Sequence, residues 1–118
     1  MRITLSVLGP AAAFAAGLLL SLPALAQAGD WRAGRLLAAR SCQACHGMDG
    51  LSKQANAPNI GGQPEAYLID QLRAYRDGTR RQEQMSIAAE GLTDDQILAL
   101  VAYYSAIELE AVRIPGRD

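Results

Sequence analysis

The sequence predicts a small all-α domain of three main helices, joined by irregular segments and short turns. Three segments carry apolar residues at the 3.6-residue spacing of an amphipathic helix, and each begins at a capping residue or a proline. No segment shows the apolar–polar alternation of a strand. The whole chain has one Trp, four Tyr and one Phe, a thin aromatic complement that predicts a bound cofactor or another staple for so small a core.

Residues 1–26 are predicted to be a secretory signal peptide, which leaves a domain at residues 27–118. Arg2 precedes an apolar stretch that runs to Leu20, and the small-x-small sequence at residues 24–26 offers cleavage after Ala26. A second such site lies after Ala28, and an uncleaved membrane anchor is the alternative. Cleavage predicts a periplasmic protein, which would be attached to a membrane only if the leader were retained.

The charge balance excludes nucleic acid as a partner. The chain has 11 basic and 12 acidic residues, and loss of Arg2 with the leader makes the domain slightly more acidic. The pair Arg80-Arg81 stands alone instead of belonging to a basic patch.

The first helix is predicted from Asp30, a good N-cap residue, through Arg40. Gly34 lies inside this helix, where a glycine costs about 1 kcal/mol relative to alanine. We therefore expect another helix to approach closely at Gly34. The second helix is predicted to open at Pro64, which suits a first helical turn, and to end at the C-cap residue Gly78.

The third helix is predicted to begin with the capping box TDDQ at residues 93–96 and to end before Pro115. Two irregular segments separate the three helices. The loop at residues 47–63 has four glycines, and its length predicts that it covers something. The segment at residues 79–91 contains Met85 and is expected to form a short helical turn around residues 87–89.

The most informative motif is CQACH at residues 42–46, the C-x-x-C-H attachment signature of a c-type haem. Two thiols at this spacing can form thioether bonds to the two vinyl groups of one porphyrin, and His46 then lies under the iron as proximal ligand. A dithiol redox site, a disulfide and a zinc site are the alternatives for Cys42 and Cys45. The first needs a strand–helix–strand context, the second would close a very short loop, and the third has only three protein ligands.

Met85 is the best candidate for the sixth ligand of the iron, ahead of Lys53. Met48 lies two residues from His46, and two extended residues span only about 7 Å, so it cannot reach the opposite face of the ring. A thioether is a soft ligand that favours reduced iron, and two protein ligands close the iron to substrate. The carbonyl of Pro58 is expected to accept a hydrogen bond from the other nitrogen of His46 and so to orient the ring.

From residue 30 onward the chain resembles the bacterial monohaem class I cytochromes c. Besides the haem motif, the resemblance rests on PNIGGQ at residues 58–63, YL at 67–68, QL at 71–72, MSIAAEGLTDD at 85–95 and AYY at 102–104. It implies a cytochrome c fold wrapped around one covalently bound haem c. The implied roles are thioether attachment for Cys42 and Cys45, axial iron ligation for His46 and Met85, and orientation of His46 by Pro58.

The resemblance also implies that the first and last helices cross, with Gly34 near an aromatic residue of the last helix. The apolar stripe of that helix makes Tyr104 the expected aromatic. The residues that hold the haem propionates do not follow from the resemblance, and Arg73, Arg80 and Trp31 are the candidates.

These observations predict a periplasmic one-electron carrier that is not an enzyme and takes no small-molecule substrate. Its expected partners are redox proteins, such as a periplasmic or membrane-bound reductase or oxidase. The alternative is a haem c electron-transfer subunit of a periplasmic dehydrogenase or oxidase complex. A peroxidase or gas sensor is disfavoured because His46 is the only histidine of the chain.

Overall fold

A computed structural model of the protein describes residues 29–117. This part of the chain is helical and contains no strand, as predicted. Five helices follow one another: α1 (Trp31–Ser41), α2 (Gln43–His46), α3 (Glu65–Asp77), α4 (Glu83–Glu90) and α5 (Asp94–Ser105). None of these five is long and apolar enough to cross a membrane. The predicted signal peptide lies outside the described residues.

The three main helices predicted from the sequence are α1, α3 and α5. The Asp30 carboxylate caps α1 by accepting a backbone N–H of its first turn at 2.9 Å. Thr93 and Gln96 form the predicted capping box of α5, and Gly78 ends α3 in the left-handed conformation, at φ 82°. Pro64 is the N-cap of α3, one position earlier than the first-turn place predicted for it.

The structure has two helices that the sequence does not predict as such. α2 is a single turn that contains most of the haem motif, and α4 covers eight residues where only a short turn was expected. The side chain of Gln82 caps α4 by accepting the backbone N–H of Met85 at 2.8 Å. Glutamine is not a preferred N-cap residue, so the start of α4 has no clear sequence signal. α5 ends at Ser105, ten residues before Pro115.

α1 and α5 cross at Gly34, which explains the glycine inside α1. A Cβ atom at this position would lie 1.9 Å from the carbonyl oxygen of Ala99, so the two backbones can approach this closely only without a side chain. The nearest neighbours at this position are backbone atoms of Ala99 and Leu100, and not the ring of Tyr104 that was expected there. The hydroxyl of Tyr104 instead donates to the carbonyl of Gly47.

The core lies where α1, α3 and α5 meet, and it is small. Its buried cluster consists of Ala38, Leu68, Ile97, Leu100, Val101 and Tyr104. The loop at residues 47–63 has no regular structure, as predicted. It folds back on itself where Gly50 meets Gly61, because the backbone N–H of Ile60 donates to the Gly50 carbonyl at 2.8 Å.

Candidate functional site

A cavity of about 320 Å³ lies between the haem motif, the loop at residues 47–63, α3 and α4. Pockets that bind small molecules and cofactors usually measure about 300 to 1,000 Å³ and are mostly apolar. None of the described Asp or Glu side chains lines this cavity. Its apolar lining includes Leu37, Ile60, Leu68, Leu72, Leu92, Leu100 and Val101.

All five predicted site residues line this one cavity. Cys42 is the C-cap residue of α1, and Cys45 and His46 lie in α2. Pro58 belongs to the irregular loop, and Met85 belongs to α4. The site is therefore assembled from three parts of the chain that are far apart in sequence.

His46 is held in one orientation by its backbone neighbour across the loop. Its side chain is buried, and its Nδ1 atom lies 2.9 Å from the carbonyl oxygen of Pro58. A carbonyl can only accept, so Nδ1 carries the proton and Nε2 keeps a free lone pair for a metal ion. This is the hydrogen bond that the sequence predicts for Pro58.

Cys42 and Cys45 are half-buried free thiols. Burial raises the pKa of the Cys42 thiol to about 11, and the neighbouring Cys45 adds to the rise. A thiol that stays protonated at neutral pH is a poor redox nucleophile. No group of three His, Cys, Asp or Glu side chains within residues 29–117 could hold a metal ion. The dithiol and zinc interpretations lose support, whereas a thioether, once formed, has no proton to lose.

Two tyrosines of α5 tie down the chain directly after the haem motif. The hydroxyl of Tyr103 donates to the Met48 carbonyl at 2.7 Å, and that of Tyr104 donates to the Gly47 carbonyl at 3.1 Å. Burial raises the pKa of Tyr104 well above its usual range, so its hydroxyl stays protonated and can donate. Sequence reasoning missed both bonds, because the apolar stripe of α5 identifies the buried face but not a hydroxyl's partner more than 50 residues away.

Of the three residues considered for the propionates, only Arg80 lines the cavity. Its guanidinium donates to the Gln71 side chain and stacks on the Tyr75 ring at 4.7 Å. Arg73 lies outside the cavity and pairs with an aspartate of α5 at 3.7 Å. Trp31 also lies outside the cavity, and the guanidinium of its neighbour in sequence stacks on its ring.

Comparisons with known proteins agree with this geometry. A family model described as cytochrome c matches residues 31–107. Cytochrome c-554(548) from Halomonas halodenitrificans is 42% identical over 71 residues, which cover 58% of this chain and 86% of the relative. The thiosulfate dehydrogenase electron acceptor of Thiomonas intermedia is 45% identical over 71 residues, which cover 59% of this chain and 33% of that protein.

The solved structures agree as well. The crystal structure of reduced recombinant cytochrome c4 from Pseudomonas stutzeri has a TM-score of 0.61 and 27% identity, and the match covers 70% of this chain and 53% of that one. The chain thus spans about a third of the Thiomonas relative and about half of the cytochrome c4 structure.

The residues that line the cavity fit a covalently bound haem c. The cavity is apolar, it has two free thiols at the required spacing, and its histidine offers Nε2 to a metal ion. Arg80 is also among the lining residues and adds a positive charge to the cavity. With the family match over residues 31–107, the chain belongs to the cytochrome c family, whose cofactor is haem c.

Proposed function

We propose that this protein is a periplasmic one-electron carrier with one haem c, bound at Cys42 and Cys45 and ligated by His46 and Met85. The observation that carries the proposal is that His46 and Met85, from separate helices, line the same cavity as the two thiols. Bound there, the haem iron would supply the one-electron chemistry by alternating between the ferric and the ferrous state.

The side chains around the cavity account for carrying an electron without reacting with a substrate. Pro58 fixes the imidazole of His46 and raises its basicity through the hydrogen bond at Nδ1. Met85 supplies a soft thioether, which favours the reduced state. With His46 and Met85 both holding the iron, no coordination position would be left for a small-molecule substrate. The apolar lining would keep water away from the iron and lower the local dielectric constant.

The predicted signal peptide at residues 1–26 supports a periplasmic location, with redox proteins as transient partners. N-terminal sequencing of protein purified from a periplasmic fraction tests this prediction. The mature chain should begin at Gln27, or at Gly29 if the second site is used. A chain that keeps residues 1–26 would contradict the proposed cleavage and would support the membrane anchor.

A second candidate function is an electron-transfer subunit of a dehydrogenase complex. It is favoured by relatives from Thiomonas intermedia and Stutzerimonas stutzeri that are named thiosulfate dehydrogenase electron acceptor. Size-exclusion chromatography of native extract distinguishes the two functions. A free carrier elutes at the size of the domain, and a subunit elutes with its enzyme.

Absorption spectroscopy of three purified proteins tests the ligand assignment. The ferric wild type should show the methionine–iron charge-transfer band, and Met85→Leu, which preserves side-chain volume, should lose it. Met48→Leu is the matched control, because Met48 packs against the core cluster and its carbonyl accepts from Tyr103; this variant should keep the band. Ready binding of carbon monoxide by the reduced wild type would contradict ligation by Met85.

A further inference from the structure

The cavity lining contains one Arg or Lys side chain among the described residues, that of Arg80. We propose that Arg80 binds a propionate carboxylate of the haem and thereby raises the reduction potential of the iron. This inference rests on the proposed function, because it assumes that the cavity holds the haem. It assigns to one residue a role that the resemblance to cytochromes c leaves open.

Charge distribution around the cavity singles out this residue. Arg80 is the one Lys or Arg among the described residues that line it, and none of the described Asp or Glu residues lines it. The two arginines of α3 are used elsewhere, since Arg73 and Arg76 lie 3.7 and 2.8 Å from an Asp94 oxygen. A haem propionate in this cavity would therefore find one cation and no competing carboxylate.

The guanidinium of Arg80 is already held in place. Its Nη1 donates to Gln71, its plane lies over the Tyr75 ring at 4.7 Å, and its backbone N–H donates to the Ala74 carbonyl at 2.9 Å. A guanidinium has five N–H donors in a planar fork. Among the described residues Gln71 is its one side-chain hydrogen-bond partner, so donors remain for a bidentate bond to a carboxylate.

The expected electrostatic effect has a definite sign. An unpaired carboxylate close to the iron stabilises the ferric form, which carries one more positive charge than the ferrous form. A guanidinium paired with that carboxylate offsets its charge. Removal of the Arg80 charge should therefore favour the ferric form and lower the reduction potential.

Arg81 provides a matched control. It is adjacent in sequence and is exposed, as Arg80 is, but its Nε donates to the Gly78 carbonyl at 3.2 Å and it does not line the cavity. Arg80→Gln and Arg81→Gln remove the same charge. Any purely long-range effect of that charge should be similar in the two variants and should be screened by salt.

Spectroelectrochemical titration tests the proposal. It compares, at low and high salt, the haem-loaded wild type with three variants: Arg80→Gln, Arg80→Lys and Arg81→Gln. Arg80→Gln should lower the equilibrium constant for reduction about tenfold, or about 59 mV for a one-electron couple, at both salt concentrations. Arg80→Lys should restore part of this loss. Arg81→Gln should change the constant less than about twofold, with no effect left at high salt.

Equal potentials of Arg80→Gln and Arg81→Gln at high salt would overturn the proposal. If Arg80→Gln does not assemble with haem, Gln71→Leu takes its place in the test, because it removes the acceptor that holds the guanidinium. A fall of about twofold or more in its equilibrium constant for reduction supports the assignment of Arg80, and an unchanged constant contradicts it. A wild type without a reversible one-electron couple would refute the proposed function instead, so the two failures are distinguishable.

Discussion

The two walls of the haem cavity are built in different ways. The proximal wall, residues 42–60, is joined to α5 by two long-range hydrogen bonds. The bonded residues are separated by 55 positions in one bond and by 57 in the other. The distal wall, residues 78–92, is held mainly by short-range bonds, such as the Gln82 cap on the Met85 N–H. Its longer tie is the bond from Arg76 to the Leu92 carbonyl at 3.1 Å.

The proximal wall also contains the more deeply buried of the two proposed ligand segments. His46 in the proximal wall is 6% exposed, whereas α4 in the distal wall buries only Ala89 and leaves Ile87 70% exposed. Segments with few buried contacts open first. The protein itself therefore fixes His46, and it holds α4, which contains the proposed ligand Met85, less firmly.

The largest expected effect comes from breaking the helix crossing that supports the proximal wall. Gly34→Ala would place a Cβ atom 1.9 Å from the Ala99 carbonyl oxygen, so α1 and α5 would have to separate. We expect a loss of about 3 kcal/mol in the free energy of unfolding, measured by urea denaturation.

Gly91→Ala is the control for this substitution. A Cβ atom at Gly91 would have no neighbour within 4 Å, and the residue has a negative φ. The change in the free energy of unfolding should be no more than about 0.5 kcal/mol. Similar urea midpoints for the two variants would show that the crossing tolerates a side chain and that the comparison of the walls needs another basis.

Tyr104→Phe should have the next largest effect, because it leaves the buried Gly47 carbonyl without its donor. The expected loss is about 2 kcal/mol. Tyr103→Phe removes the corresponding bond to Met48 at a partly exposed site, and its expected loss is about 1 kcal/mol. Thermal unfolding of both variants checks the order. A larger loss of stability for Tyr103→Phe than for Tyr104→Phe would mean that burial does not determine the strength of these two hydrogen bonds.

Local rules predicted much of the fold. Three predicted helix ends are present: the N-cap at Asp30, the capping box at residues 93–96 and the C-cap at Gly78. They could be predicted because each depends on residues within one helical turn. The haem motif could be recognised, and Met85 could be proposed as a ligand, because their chemistry depends on residue type. The start of α4 could not, since its cap is a glutamine, a residue that seldom fills this position.

Long-range contacts set the limit of sequence reasoning. The glycine at position 34 signalled a close approach, but nothing in the sequence distinguished the Ala99 backbone from the Tyr104 ring as its neighbour. The choice of Arg80 over Arg73 and Trp31 likewise needed the cavity, because all three are plausible carboxylate partners by residue type alone.

Loss of the Gln82 cap should weaken the distal wall alone. Gln82→Ala removes the acceptor of the Met85 N–H, at an expected cost of about 1 kcal/mol. In the ferric protein, the methionine–iron band should disappear at a lower temperature than the helical circular dichroism. Thr93→Ala, which removes the cap of the core helix α5, should lower both transitions together. If Gln82→Ala also keeps the two transitions coincident, the walls unfold as one unit.

The smallest expected effect concerns the exposed ion pair that links α3 to α5. Hydrogen bonding to Arg76 holds the pKa of Asp94 below its usual value of 3.8. Nη1 of Arg76 lies 2.8 Å from Oδ1 of Asp94. A depressed carboxyl pKa stabilises the fold above the unfolded-state pKa, and this contribution is lost as the pH falls through the folded-state pKa.

Asp94→Asn should therefore unfold at a slightly lower urea concentration than the wild type at about pH 7, and the difference should vanish at about pH 2. Asp95→Asn is the control, because Asp95 lies in the same first turn of α5 but outside the ion pairs of the described residues. It shares the interaction with the helix N-terminus, so the difference between the two variants isolates the bridge to Arg76. A difference that persists unchanged at about pH 2 would assign the effect to packing of the Asp94 side chain, since a protonated carboxyl cannot form the ion pair.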